Sequence, residues 1–189
     1  MERDDDYRLR LLGQRSRGAV LDIGCHDNQN PYLKNVIGFD LRKPKNILEN
    51  YSDFVLGDCE KMSDYFEGSQ FDTLVAGELI EHLECPASFL REAAKMTKDD
   101  GTLLVTTPNP YHWTTVVGNL LFMDRGLQTE HINLFPYRAM VALLKHTGWR
   151  CVEVLNASGG MRLWHTTRSM FMPCPKAIAW QLLYVCKRC

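Results

Sequence analysis

The chain reads as an α/β protein, a mostly parallel seven-stranded sheet with helices on both faces, and three observations predict it. Seven short apolar runs bounded by Gly, Asp or Pro recur at 19–23, 36–39, 54–56, 71–76, 102–106, 151–155 and 182–186, each of a length that suits a strand. Amphipathic helical stretches alternate with several of these runs, the arrangement that builds a parallel sheet beneath two helical layers. The first run ends in a turn at Gly24 and the second in Asp40, the outline of a nucleoside pocket in which the backbone approaches a ligand and a carboxylate accepts from ribose hydroxyls.

The elements follow in order. After the first strand only about a dozen residues lead to the second, near the minimum for a crossover, and Pro31 within 28–35 leaves room for one or two helical turns at most. The third and fourth strands, 54–56 and 71–76, precede the clearest helix, 86–98, where Pro86 suits the first turn, Phe89, Leu90, Ala93 and Ala94 share a face, and Gly101 ends the segment. Beyond the fifth strand, residues 111–130 make a long excursion containing Trp113, Phe122 and Met123, which reads equally as a lid beside a ligand crevice and as a packing helix. The stretch 136–147 repeats the helical design, with Met140, Val141 and Leu144 as the buried stripe between Pro136 and Gly148. The last two strands flank 157–176, whose Met161, Trp164, Met170, Phe171 and Met172 suit an apolar acceptor wall or core packing alike.

Composition narrows the classes. With 189 residues and 45% hydrophobic content the chain suits one domain, 1–189. A net charge of −1 favours neither nucleic acid nor an anionic membrane as the main partner. The start is too charged for a signal peptide, and the longest apolar stretches, near 116–123 and 177–186, are interrupted and shorter than a bilayer requires; the expectation is a soluble, cytoplasmic protein. Seven cysteines without a disulfide-like framework are expected to be reduced. Cys186 and Cys189 form a lone Cys-x-x-Cys with no second pair, a chance spacing rather than a zinc site.

Five motifs, taken in order over residues 18–148, resemble those of class I S-adenosylmethionine-dependent methyltransferases. Residues 20–25 (Val-Leu-Asp-Ile-Gly-Cys) resemble the glycine motif, 38–41 (Gly-Phe-Asp-Leu) the ribose-binding strand end, and 57–59 (Gly-Asp-Cys) the acidic residue beside the adenine. Residues 71–82 resemble the fourth strand and its loop, and 101–109 the fifth. The resemblance implies a Rossmann-like sheet with an antiparallel last strand and S-adenosyl-L-methionine as cofactor. It implies Asp22, Gly24, Cys25, His26 and Asn28 around the methionyl end, Asp40 and Leu41 at the ribose, Asp58 and Cys59 at the adenine, and Glu78 and Leu79 on the loop facing the cofactor. The alternative for the three aspartates is a turn-stabilising or strand-end role. His26 and Asn28 stand where the family commonly has further glycines; both residue types tolerate positive φ and keep the same backbone path. A nicotinamide dinucleotide would need glycines and a long first helix at its pyrophosphate, and the chain offers neither.

A sulfonium methyl is already activated, so transfer needs chiefly an aligned nucleophile and the exclusion of water. A hydroxyl acceptor must also lose its proton to a base or with the help of a metal, which directs attention to Glu78-x-x-Glu81-His82 and to Glu130-His131. Glu81, His82 and His131 are the expected catalytic residues. Similar Glu-x-x-Glu-His loops occur in ubiquinone-type O-methyltransferases, and in small-RNA 2′-O-methyltransferases the loop plus a later histidine binds a divalent cation. The resemblance thus implies Glu78, Glu81, His82 and His131 as ligands of such an ion, with manganese suited better than magnesium; a metal-free base and a loop-holding glutamate are the alternatives. His112 reads as an acceptor-side or solvated loop residue, and His146 and His165 carry no expected function. Asn109-Pro110-Tyr111 follows the fifth strand, whereas the similar tetrapeptide of DNA amino-group methyltransferases follows the fourth, and it is set aside. Arg162, Arg168, Lys187 and Arg188 give RNA only a thin basic strip. The expected activity is O-methylation of a small hydroxylated acceptor such as a sugar, phenol or lipid-linked glycan. A metal-dependent RNA 2′-O-methyltransferase and a non-catalytic cofactor-binding partner module are the alternatives, and oligomeric state is left open.

Overall fold

The computed structural model describes residues 4–66, 68–122, 130–158 and 174–189. One sheet holds seven strands: β1 (Val20–Ile23), β2 (Val36–Asp40), β3 (Tyr51–Leu56), β4 (Phe71–Gly77), β5 (Thr97–Pro108), β6 (Trp149–Asn156) and β7 (Gln181–Arg188). Their spatial order is β3-β2-β1-β4-β5-β7-β6. Pairings among the first five are parallel, and β7 alone runs against its neighbours β5 and β6, so the predicted sheet, antiparallel last strand included, is the one observed. Strand order reverses between β1 and β4, which places a ligand crevice at their carboxyl ends.

Strand alternation sorts the apolar side chains into two layers. On one face Leu21, Ile23, Leu74, Leu103 and Val105 meet Phe89, Leu90 and Ala93 of α2 (Pro86–Met96) and Met140 and Leu144 of α4 (Tyr137–His146). Both helices begin at the predicted prolines, and Gly148 turns the chain after α4 at φ +90°. The first of them stops at Met96 rather than Lys98, because Thr97 already pairs with Phe71 ahead of a bulge in β5.

On the other face Val20, Val36, Val75 and Leu104 pack with Leu33 and with Leu12 of α1 (Asp4–Arg15), a helix the sequence reading did not anticipate. The first crossover contains turns and bends but no helix, and α1 covers it instead. Asn30 Nδ2 donates to the Leu9 carbonyl at 2.9 Å, Tyr32 Oη donates to Asp6 at 2.7 Å, and a Cβ on Gly13 would sit 2.6 Å from Tyr32 Cβ.

Within the predicted excursion lies α3 (Trp113–Phe122), a helix without a charged residue whose Leu120 and Leu121 are 78% and 67% exposed. Met123 lies outside the described residues, as do Met161, Arg162, Trp164, His165, Arg168, Met170, Phe171 and Met172. No helix among the described residues is long and apolar enough to cross a membrane, and all seven cysteines are free.

Candidate active site

The turn after β1 tolerates only glycine. Gly24 has φ +74°, and a Cβ there would lie 2.8 Å from a Leu79 methyl. Its amide donates to the Phe39 carbonyl at 2.8 Å, which locks the turn to β2. Asp40, at the tip of β2, accepts from the His26 amide at 2.9 Å on one oxygen and from the Arg42 amide at 3.0 Å on the other. Each oxygen keeps a further lone pair able to accept another hydrogen bond, while the Asn28 amide closes the loop onto the Cys25 carbonyl at 3.2 Å. Leu41 stands 72% exposed just beyond, an apolar surface beside that carboxylate. Asp58 caps the short 3₁₀ segment Cys59–Asp64 by accepting from the Glu60 amide at 2.9 Å. Burial holds both nearby thiols neutral, pushing Cys59 up to about 12 and raising Cys25 further still.

Asp22 is buried under the turn and accepts a hydrogen bond from the Tyr51 hydroxyl. That hydroxyl in turn accepts from the Asn30 amide at 2.7 Å. Burial raises the Asp22 carboxyl to about 7, against the lowering effects of the Tyr51 bond and the Arg8 charge. The residue therefore ties β1 to the crossover and walls a small cavity shared with Arg8, Gly24, Asn28 and Gly77.

Arg8, which sequence reasoning missed, projects from α1 into that cavity. It is only 4% exposed, its Nε has no hydrogen-bond partner, and no carboxylate is ion-paired to it among the described residues. A Cβ on Gly77 would lie 3.0 Å from its guanidinium, so the glycine clears its path. The available signal was a cation one helical turn before Leu12, on the face that the helix buries.

The loop after β4 assembles a second cluster. Glu78 has φ +53°, uncommon for a residue with a side chain, and accepts from Gln181 Nε2 at 2.7 Å. Glu81 is 1% exposed; Thr107 donates to one of its oxygens at 3.1 Å and the other has no partner among the described residues. Burial first, and the charge of Glu78 second, raise its carboxyl to about 8. The exposed His82 ring places Nδ1 3.0 Å from the Glu130 carbonyl; since a carbonyl only accepts, Nδ1 is the donor in that bond, and Nε2 is the ring nitrogen left to face the cluster. His131 meets that ring edge-on, with centroids 4.8 Å apart, and burial followed by the His82 charge lowers its pKa. Asn133, also missed, fastens the two segments: its amide donates to the Glu81 carbonyl at 3.0 Å and its side chain to the Leu83 carbonyl at 2.6 Å.

Ligand atoms of Glu81, His82 and His131 thus lie within 4.8 Å of one another. The fourth expected ligand, Glu78, stands outside this group and turns to Gln181. One carboxylate and two imidazoles form a donor set that fits a manganese-like divalent ion. His112 is neither solvated nor at the cluster: it is 1% exposed, bonded to Thr114 at 2.7 Å and packed edge-on against Trp180. His146 is exposed at the end of α4. A cavity of about 640 Å³ opens alongside, walled by Asn109, Tyr111, Tyr137, Val154 and Leu182. One of its wall residues, Leu182, sits directly opposite Thr107, the threonine that bonds Glu81, in the β5–β7 ladder.

Known proteins resemble the chain in sequence and in fold. A family profile described as "Methyltransferase domain" matches residues 2–154. The ubiquinone biosynthesis O-methyltransferase of Erwinia tasmaniensis is 27% identical over 126 residues, covering 58% of this chain and 51% of that protein. Its namesake in Azorhizobium caulinodans is 31% identical over 125 residues, covering 55% and 48%; the chain spans about half the length of the curated relatives it matches. Among solved structures, a Thermotoga maritima S-adenosylmethionine-dependent methyltransferase described as a possible histamine N-methyltransferase superposes with a TM-score of 0.74 at 14% identity, covering 97% of this chain and 89% of that one.

Proposed function

The chain belongs to the methyltransferase-domain family, and on that premise we propose that it transfers the methyl group of S-adenosylmethionine to an oxygen of a small hydroxylated acceptor. Asp40 receives the ribose hydroxyls, Asp58 and the Cys59 amide face the adenine, and Arg8 takes the methionyl carboxylate at the Gly24 turn. Cys25, His26 and Asn28 line the same path, with Leu41, Glu78 and Leu79 closing it. Residues 1–189 act as one domain, with 111–130 as a lid and 157–176 on the acceptor side; the uncharged α3, exposed along its leucines, supports the lid reading. Seven reduced thiols suit the cytoplasm.

The observation that carries oxygen transfer is the split between neighbouring titrating groups. Burial favours the protonated form of Glu81 and the neutral form of His131, which sets a candidate acid beside a candidate base in one cluster. The acceptor hydroxyl gives its proton to the imidazole as the oxygen–carbon bond forms and the carbon–sulfur bond breaks, leaving a neutral thioether. The same cluster favours a second reading in which Glu81, His82 and His131 hold a divalent ion that lowers the acceptor's pKa. RNA is a poorer acceptor on this evidence, because Lys187 and Arg188 lie at the far end of β7 and bond the Asp100 and Thr97 carbonyls.

Incubating cell extract with the protein and isotopically labelled donor, followed by mass spectrometry, tests the proposal. A labelled methyl ether is the expected product, and His131→Ala should lower its formation by roughly 10²-fold or more while cofactor affinity holds. A labelled amine, or no product from any extract, would refute oxygen transfer. Full turnover in chelator would exclude the metal reading.

A further inference from the structure

Cys186 and Cys189 are neighbours in sequence but not in space. The Cys186 side chain is in the core beneath β7, whereas Cys189 follows the strand, exposed, with its amide bonded to the Gly148 carbonyl. Three residues of extended chain separate opposite faces by about 10 Å. The neighbour of Cys186 is instead Cys151, directly across the β6–β7 ladder. Opposed residues of an antiparallel pair have Cα atoms about 4.5 or 5.5 Å apart, both within the span of a disulfide. The thiols touch: the bond from Cys186, first among its causes, lowers Cys151 to about 7, while that same bond and burial raise Cys186. Cys186 is fully buried, and Cys151 is half-buried and walls the 640 Å³ cavity. Cys151 is the thiol a small molecule can reach, and Cys186 lies behind it across the ladder.

We propose that Cys151 and Cys186 form a thiol–disulfide exchange site that takes a low-molecular-weight disulfide such as oxidised glutathione. The Cys151 thiolate attacks one sulfur of the small disulfide and expels the other as a thiolate. Cys186 then gives up its proton, displaces the second half and leaves a cross-strand bond between β6 and β7. Two protein thiols are oxidised and one small disulfide is reduced to two thiols. The new bond closes the chain from 151 to 186 into a ring. That ring contains Gln181, the partner of Glu78, so oxidation staples the side of the sheet that borders the candidate active site. The inference stands on the ladder and not on the methyl-transfer reading.

The test equilibrates the reduced full chain with oxidised glutathione, blocks the remaining thiols and maps unreduced peptides by mass spectrometry. A linked 151–186 peptide, the loss of two hydrogens from the intact mass and a higher Tm than the reduced form are expected. Cys151→Ser should take up no glutathione at position 186, and Cys186→Ala should hold a stable adduct on Cys151. A lasting adduct on wild-type Cys151, a link from Cys186 to Cys189, or a link to Cys174 would overturn the proposal.

Discussion

At the residue scale, Arg8 is a guanidinium 4% exposed with no ion-paired carboxylate among the described residues; left unpaired, such a group costs on the order of several kcal/mol, which an anionic ligand would offset. Arg8→Met should weaken binding of S-adenosylhomocysteine by about 2 kcal/mol, roughly thirtyfold. Methylthioadenosine, which lacks the amino-acid end, should bind both proteins alike in calorimetry. Equal losses for the two ligands would mean that the arginine acts on the fold instead. Asp22 makes a second prediction. Its carboxyl titrates near 7 in the folded chain, above its unfolded value, so the stability it confers is full below about pH 4 and drains as pH rises towards 7. Asp22→Asn still accepts from Tyr51 and cannot ionise. Denaturant titrations should therefore show the variant gaining on the wild type by on the order of 2–4 kcal/mol between pH 4 and 8, and a flat difference would mean that Asp22 is not held protonated.

At the element scale, α1 decides whether the proposed cofactor site can form, because Arg8 rides on it and its Gly13 lies against Tyr32. A methyl at that position must push the helix off the crossover. Overpacking costs about 1–3 kcal/mol and improved helix propensity returns up to about 1, so Gly13→Ala should lower Tm and weaken cofactor binding together. Unchanged affinity would show that the helix does not position Arg8. This was the element that the sequence concealed: half of Asp4–Arg15 is charged, with apolar residues at Leu9, Leu11 and Leu12 supplying little pattern, and its order comes from docking on Asn30 and Tyr32 rather than from its own periodicity. By contrast α2 and α4 announce themselves through Pro86, Pro136 and a clean apolar face. At the candidate site Glu81, His82 and His131 were legible because chemistry restricts those residue types. Asn133 was not, since a side-chain amide bonding a distant carbonyl leaves no spacing signal.

For the whole molecule, the sheet was legible because burial on both faces demands nearly continuous apolar strands, as in Leu103, Leu104 and Val105 of β5. The antiparallel course of β7 leaves no such trace in local composition and was implied by the family resemblance, while its place between β5 and β6 was not predicted. That insertion governs the birth of the protein. Among the seven strands β6 has β7 as its sole ladder partner, yet the ribosome releases β7 about thirty residues later, an interval of roughly 2–6 s at ordinary elongation rates. Throughout that time β6, carrying Val152, Val154 and Leu155, hangs unmatched while β5, paired with β4 on one side, leaves its other edge open, so the newborn chain presents two sticky margins to chaperones and to its own siblings before the closing strand arrives.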